Sequence, residues 1–147
     1  MNIFGQLNEK ALEKLCNKKF KSALQGIKAD VIKKIWGKEY VLINTPLYCS
    51  KILKVDVDKA GSIHTHKLKT ETFVTLKGQA KVEIWESHAK EPHCVLKGDC
   101  FTVTIRPGQY HRLSNIGDQI VYVLEISTEH FEEDSYRIQS GVYDNGE

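Results

Sequence analysis

The chain has 147 residues, 41% hydrophobic and 27% charged, with 21 basic and 19 acidic residues and a formal net charge of +2. That length suits one domain with its own core, and the composition is that of a globular chain rather than a disordered one. So small a charge argues against a nucleic-acid surface, and no apolar run approaches the roughly 18 residues of a membrane span.

The N-terminus, MNIFGQLNEKALEKL, carries acidic residues where an export signal needs an unbroken apolar stretch, so a cytoplasmic location is expected. Residues 1–35 are rich in Lys, Ala, Leu and Glu, and Leu12, Leu15 and Lys19 are spaced to share a helical face. A short helical extension followed by a lead-in segment is predicted there, with its lysines on the solvated side. Such an extension either caps the rest of the molecule or exchanges between subunits.

From about Tyr40 the signal changes to strands: YVLINT, SKILKVDVD, ETFVTLKG, QAKVEIWES, HCVLKG, DCFTVTIRPG, YHRLSN and IVYVLEIST. Each is short, rich in β-branched and aromatic residues, and bounded by Gly, Pro, Asn or Asp. In SKILKVDVD, Ile52, Lys54 and Asp56 fall on one face and Leu53, Val55 and Val57 on the other. Strands recurring at about ten residues with no helical pattern between them predict an antiparallel sandwich or jelly roll. Residues 129–147 read as a polar tail that packs back loosely. The cysteines Cys16, Cys49, Cys94 and Cys100 show no C-x-x-C pairing and are expected to be free thiols.

The chemistry concentrates in Gly61-Ser-Ile-His64-Thr-His66-Lys-Leu-Lys69-Thr-Glu71, with Gly78 beyond it. In an extended strand, residues i and i+2 point to the same side, so His64 and His66 project into one space. Two neutral imidazoles there are a natural ligand pair for a divalent cation. The short loop from Lys67 to Thr70 allows Glu71 to return its carboxylate to the same metal. Further along, Pro107-Gly108 has the chemistry of a tight turn, and His111 opens the strand after it, in position to serve as a fourth ligand. His88, His93 and His130 have no such setting and read as surface residues.

These residues resemble the two cupin motifs. The first, G-(x)n-H-x-H-(x)3,4-E-(x)6-G, matches at Gly61, His64, His66, Glu71 and Gly78, with Gly61 closer to His64 than usual. The second, P-x-G-x-x-H-(x)3-N, matches at Pro107, His111 and Asn115, with Gly108 directly after the proline. The resemblance implies an all-β double-stranded β-helix, a jelly-roll barrel over residues 36–128, and one divalent metal: manganese first, with iron, zinc, nickel or cobalt as alternatives. It also implies a homodimer, for which closure of exposed strand edges gives a physical reason.

Three features point toward sugars. Trp36-Gly37-Lys38-Glu39 resembles the W-G-x-E segment of cupins of the phosphomannose-isomerase type. The pattern H-x-H-x-x-K-x-E is similar to that of D-lyxose isomerases, manganese cupins in which the matching lysine is Lys69 here. Leu124-Glu125-Ile126-Ser127-Thr128 resembles the E-x-S-T segment of the same isomerases. Independently, Glu125 interrupts an apolar strand, where a carboxylate is costly unless paired or used; an edge position facing water is the other reading. Lys69 is either beside the reacting carbonyl or a solvated loop lysine.

The leading expectation is a sugar or sugar-phosphate isomerase that works through a cis-enediolate, or an epimerase, which shares that chemistry. Glu125 would be its base, Lys69 would stabilise charge or shuttle a proton, and Lys54, Arg106 and Tyr110 would contact substrate. Lys51 is a further candidate for a sugar phosphate, and Trp85 is either pocket wall or core. The alternatives are an Fe(II)-dependent dioxygenase, which the same ligands would suit, and a non-catalytic module that binds carbohydrate through the metal.

Overall fold

A computed structural model describes residues 30–86 and 91–139. The alternation in the sequence sets the strands: β1 (Asp30–Lys34), β2 (Gly37–Asn44), β3 (Cys49–Val55), β4 (Ile63–Thr65), β5 (Glu71–Lys77), β6 (Ala80–Trp85), β7 (Cys94–Gly98), β8 (Thr102–Ile105), β9 (Tyr110–Asn115), β10 (Val121–Ser127) and β11 (Tyr136–Gln139). Among the described residues, one 3-10 turn, Glu132–Asp134, precedes β11. All pairings are antiparallel, in a six-stranded sheet ordered β1-β2-β3-β10-β5-β8 and a five-stranded sheet ordered β11-β4-β9-β6-β7.

The two sheets close over one core. Leu53, Val55, Phe73, Val121 and Val123 come from the first sheet, and Val82, Ile84 and Leu113 from the second. Alternate residues point inward, as a pleat demands. The opposite face of the first sheet is also apolar, with Tyr40, Ile52 and Tyr122 buried together. Gly37 shows why a glycine stands at the start of β2: its φ is +147°, and a Cβ there would lie 2.0 Å from the Lys54 carbonyl oxygen. Gly78, with φ of +85°, turns the chain from β5 into β6 and leaves no room for a side chain against the Ile120 carbonyl.

Two expectations need correction. The segment assigned to a helical extension over residues 1–35 ends in β1, a strand that pairs from Asp30↔Val41 to Lys34↔Gly37; the two-residue turn at Ile35 and Trp36 makes a hairpin, and pairing overrides the local pattern. The helix itself falls on residues 1–29, outside the described ones. Nor are residues 129–139 a loose tail, because Tyr136–Gln139 joins the second sheet against β4; the rest of the predicted tail lies outside the described residues. Cys49 is buried, Cys94 half-buried and Cys100 exposed, all three as free thiols; Cys16 lies outside the described residues.

Candidate metal centre and active-site cavity

Strand β4 is short, and His64 within it sits directly opposite His111 on β9. His66 follows two residues later and, by strand alternation, looks the same way. The chain then crosses to the other sheet, where Glu71 opens β5 beside Ser127 of β10. Ligand atoms from His64, His66, Glu71 and His111 all lie within 4.8 Å of one another. The two sheets therefore contribute three imidazoles and one carboxylate to a single point.

Each imidazole donates its Nδ1–H to a backbone carbonyl: His64 to Ser62 at 3.0 Å, His66 to Asp134 at 2.9 Å and His111 to Gln109 at 3.3 Å. A carbonyl only accepts, so whenever an imidazole here is neutral these contacts fix its tautomer and make Nε2 the atom that carries the lone pair. The Nε2 atoms of His66 and His111 and Oε1 of Glu71 are buried without a hydrogen-bond partner. Yet Glu71 Oε1 stands 2.6 Å from His111 Nε2 and 3.8 Å from His66 Nε2. Buried lone pairs facing one another repel unless a cation sits among them. The donor set of nitrogen and carboxylate oxygen suits a divalent transition metal, and the carbonyl contacts are the outer partners that such ligands use. The residues fit the group.

Burial holds His64 down to about 3, with the neighbouring His111 adding to the effect. His66 is also lowered, again chiefly by burial. Burial alone would raise Glu71, but His111 and Lys69 more than reverse this and hold its carboxyl well below the usual range. His64, His66 and Glu71 are thus kept in the forms that bind metal at neutral pH.

The second oxygen of Glu71 accepts from Lys69 Nζ at 2.5 Å, and the same ammonium donates to Glu125 Oε1 at 2.5 Å. Both Lys69 and Glu125 are 4% exposed. Burial works to lower Lys69, but the carboxylates of Glu125 and Glu71 outweigh it and hold the ammonium above its ordinary range. The structure thereby decides two open questions: Glu125 faces inward from β10, and Lys69 is no solvated loop lysine.

These groups line a cavity of about 480 Å³. Lys33, Lys34, Lys51 and Arg137 stand around it as cations, with Glu39 and Glu132 among them. Lys51 is 2% exposed and donates to Glu39 at 3.3 Å. Lys34 lies 3.4 Å from the other Glu39 oxygen.

Lys54, Arg106 and Tyr110, expected to touch substrate, do not line this cavity. Alternation puts Lys54 on the far face of β3, where its Nζ lies 3.4 Å from Asp56. Arg106 is exposed in the turn before β9, and Tyr110 begins that strand opposite Trp85. Trp85 is buried at 7% outside the cavity lining, a core residue. His130 was read as surface, but it lines the cavity and meets Glu132 at 3.3 Å. His93 is a surface residue beside Glu86 at 3.7 Å; His88 lies outside the described residues.

Asp134 gave no signal at all. Its carboxylate accepts from the backbone N–H groups of Lys67, Leu68 and Lys69 at 2.9 to 3.3 Å. Burial would raise its carboxyl, but these three amides hold it below its usual value.

A protein-family model described as mannose-6-phosphate isomerase C-terminal matches residues 24–140. The chain belongs to this family of cupin domains. Among solved structures, the chain is similar to the capsular polysaccharide assembling protein CapF from Staphylococcus aureus, at 18% identity and a TM-score of 0.64, covering 76% of this chain and 34% of that one. It is also similar to Bacillus subtilis oxalate decarboxylase, in a study of that enzyme's Mn(II) centres, at 18% identity and a TM-score of 0.63, covering 74% of this chain and 30% of that one. Both neighbours are cupins, and at this identity the likeness is one of fold. The chain spans about a third of the length of these structures. No curated protein sequence matches it.

Proposed function

We propose that this domain is a metal-dependent isomerase interconverting an aldose and its ketose, free or phosphorylated, through a cis-enediolate. The observation that carries the reading is the buried Lys69–Glu125 pair: an acidic side chain with no ligand role, turned into the cavity and joined through one ammonium to the ligand Glu71. A divalent metal, when bound, supplies Lewis-acid stabilisation of charge developing on the substrate oxygens.

Glu125 takes the proton from C2 as the C2–H electrons move to form the C1–C2 double bond of the enediolate, and then returns that proton to C1. Lys69 faces the two oxygens and carries the hydroxyl proton from O2 to O1, so the protein ends the cycle unchanged. The lysine and arginine side chains around the cavity support an anionic substrate and therefore the phosphorylated sugar. Manganese leads among the metals because the H-x-H-x-x-K-x-E pattern is that of D-lyxose isomerases. A cytoplasmic homodimer completes the proposal.

The test is to incubate metal-loaded protein with aldoses and their phosphates in heavy water and follow deuterium at C2 by NMR. Metal-dependent exchange, lost in Glu125→Gln, supports isomerisation. No exchange with any sugar, together with oxygen consumption by iron-loaded protein, sinks it.

A further inference from the structure

Asp134 lies in the 3-10 turn before β11, and its contacts converge on the stretch that carries His66, Lys69 and Glu71. Its backbone oxygen takes the Nδ1–H of His66 at 2.9 Å, and its Oδ2 lies 3.9 Å from the same nitrogen. Its carboxylate takes three consecutive amides: Lys67 at 2.9 Å, Leu68 at 3.1 and 3.3 Å, and Lys69 at 3.1 Å. Consecutive N–H groups gathered on one anion force the loop into a curl. That curl turns Leu68 outward, where it is 70% exposed, and Lys69 inward, where it is 4% exposed. The contacts span 65 to 68 residues of sequence, so they tie one end of the fold to the other.

The strand that Asp134 leads into makes the connection stronger. Strand β4, bearing His64, has one register pair with β9, whereas β11 pairs with it at Thr65, His64 and Ile63. Lys67 Nζ lies 4.3 Å from the centre of the Tyr136 ring, closing the loop against β11. Asp134 is itself held in place by its N–H on the Phe131 carbonyl at 3.1 Å and is 5% exposed.

We propose that Asp134 is a positioning residue for the metal centre: it fixes the ring of His66 and the inward course of Lys69, and so sets metal affinity without touching metal or substrate. The proposal rests on the four-ligand reading of the site. An orienting partner of this kind is worth about 10–100-fold in affinity, because the free protein is otherwise left to order its ligands on binding.

Cobalt(II) binding to the full chain, measured against a competing chelator together with the cobalt absorption spectrum, tests it. Asp134→Asn keeps one side-chain acceptor oxygen and Asp134→Ala keeps neither, while the backbone carbonyl that takes His66 Nδ1–H remains in both, so the variants test the hold of the carboxylate on the amides of Lys67, Leu68 and Lys69. We expect about 10-fold weaker binding for Asp134→Asn and up to about 100-fold for Asp134→Ala, with the spectrum at saturating metal moving toward that of His66→Gln. The comparison is Ile52→Ala, a cavity-forming change on the far face of β3, which is expected to lower Tm and leave cobalt affinity and spectrum unchanged. If Asp134→Ala fails to fold, Asp134→Asn decides. Affinity within twofold of wild type and an unshifted spectrum overturn the proposal, as does an equal loss of affinity in Ile52→Ala. Wild-type protein that takes up no cobalt overturns the ligand reading itself, and this proposal with it.

Discussion

Lys69 Nζ lies 2.5 Å from Glu125 Oε1 at a depth where neither residue is more than 4% exposed. A buried ammonium between two carboxylates is stabilising only while all members are present, because removing one strands the others in a poor solvent. Lys69→Met is therefore expected to lower the stability of the metal-free protein by about 3–5 kcal/mol, read by urea denaturation. Glu125→Gln leaves Lys69 paired with Glu71 and is expected to cost less stability than Lys69→Met while lowering kcat about 10²–10⁴-fold. Equal stability losses in the two variants would contradict this asymmetry.

Metal content separates ligands from bystanders. His66→Gln and His111→Gln each remove a buried nitrogen from the site and are expected to abolish retention of metal through dialysis. His93→Gln, on the surface beside Glu86, is expected to retain the wild-type amount. Elemental analysis of the purified proteins gives the answer.

Acid sensitivity follows from His64. Burial holds its folded-state value at about 3, against a usual 6.5 that the unfolded chain retains. Below 6.5 the unfolded chain takes up a proton that the folded one refuses until about 3. Stability of metal-free protein is thus fully present above that window and falls as pH drops through it, by up to about 1.4 kcal/mol per unit from this group. Urea titrations at about pH 7.5, 6.5 and 5.5 are expected to show the fall, and His64→Gln a shallower one. Parallel curves for the two proteins would rule out His64 as the source.

Backbone crowding makes Gly37 irreplaceable. A Cβ there would overlap the Lys54 carbonyl at 2.0 Å, with φ in a region that side chains rarely adopt. Gly37→Ala is expected to cost more than about 4 kcal/mol, seen as a loss of the cooperative thermal transition.

Substrate charge distinguishes Arg137 from Arg106. Arg137 lines the cavity and Arg106 does not. Arg137→Ala is expected to raise KM for a phosphorylated sugar about tenfold, near 1.4 kcal/mol, with little change for the free sugar. Arg106→Ala is expected to leave both unchanged.

The strands and the grouping of His64, His66 and Glu71 were legible because both depend on short-range spacing. Period-two alternation decides which neighbours share a face, so His64 and His66 declare themselves as a pair and Glu71 lies one short loop away. The same parity held a signal that went unused: Lys51 shares its face with Leu53 and Val55 and lines the cavity, whereas Lys54 faces the other way. Residues 30–34 were misread because their strand is made by a partner, β2, and not by their own composition.

By itself, the sequence determined an all-β fold and set His64, His66 and Glu71 within reach of one another, since period and spacing are properties of a few adjacent residues, while His111 was added by the resemblance of its segment to the second cupin motif. Tertiary structure alone decided that Lys69 and Glu125, 56 positions apart, share a hydrogen bond, and that Asp134 grips the loop between His66 and Glu71. Those contacts join segments distant in the chain, and their energy exists only once both sheets have closed and excluded water from the ion pairs.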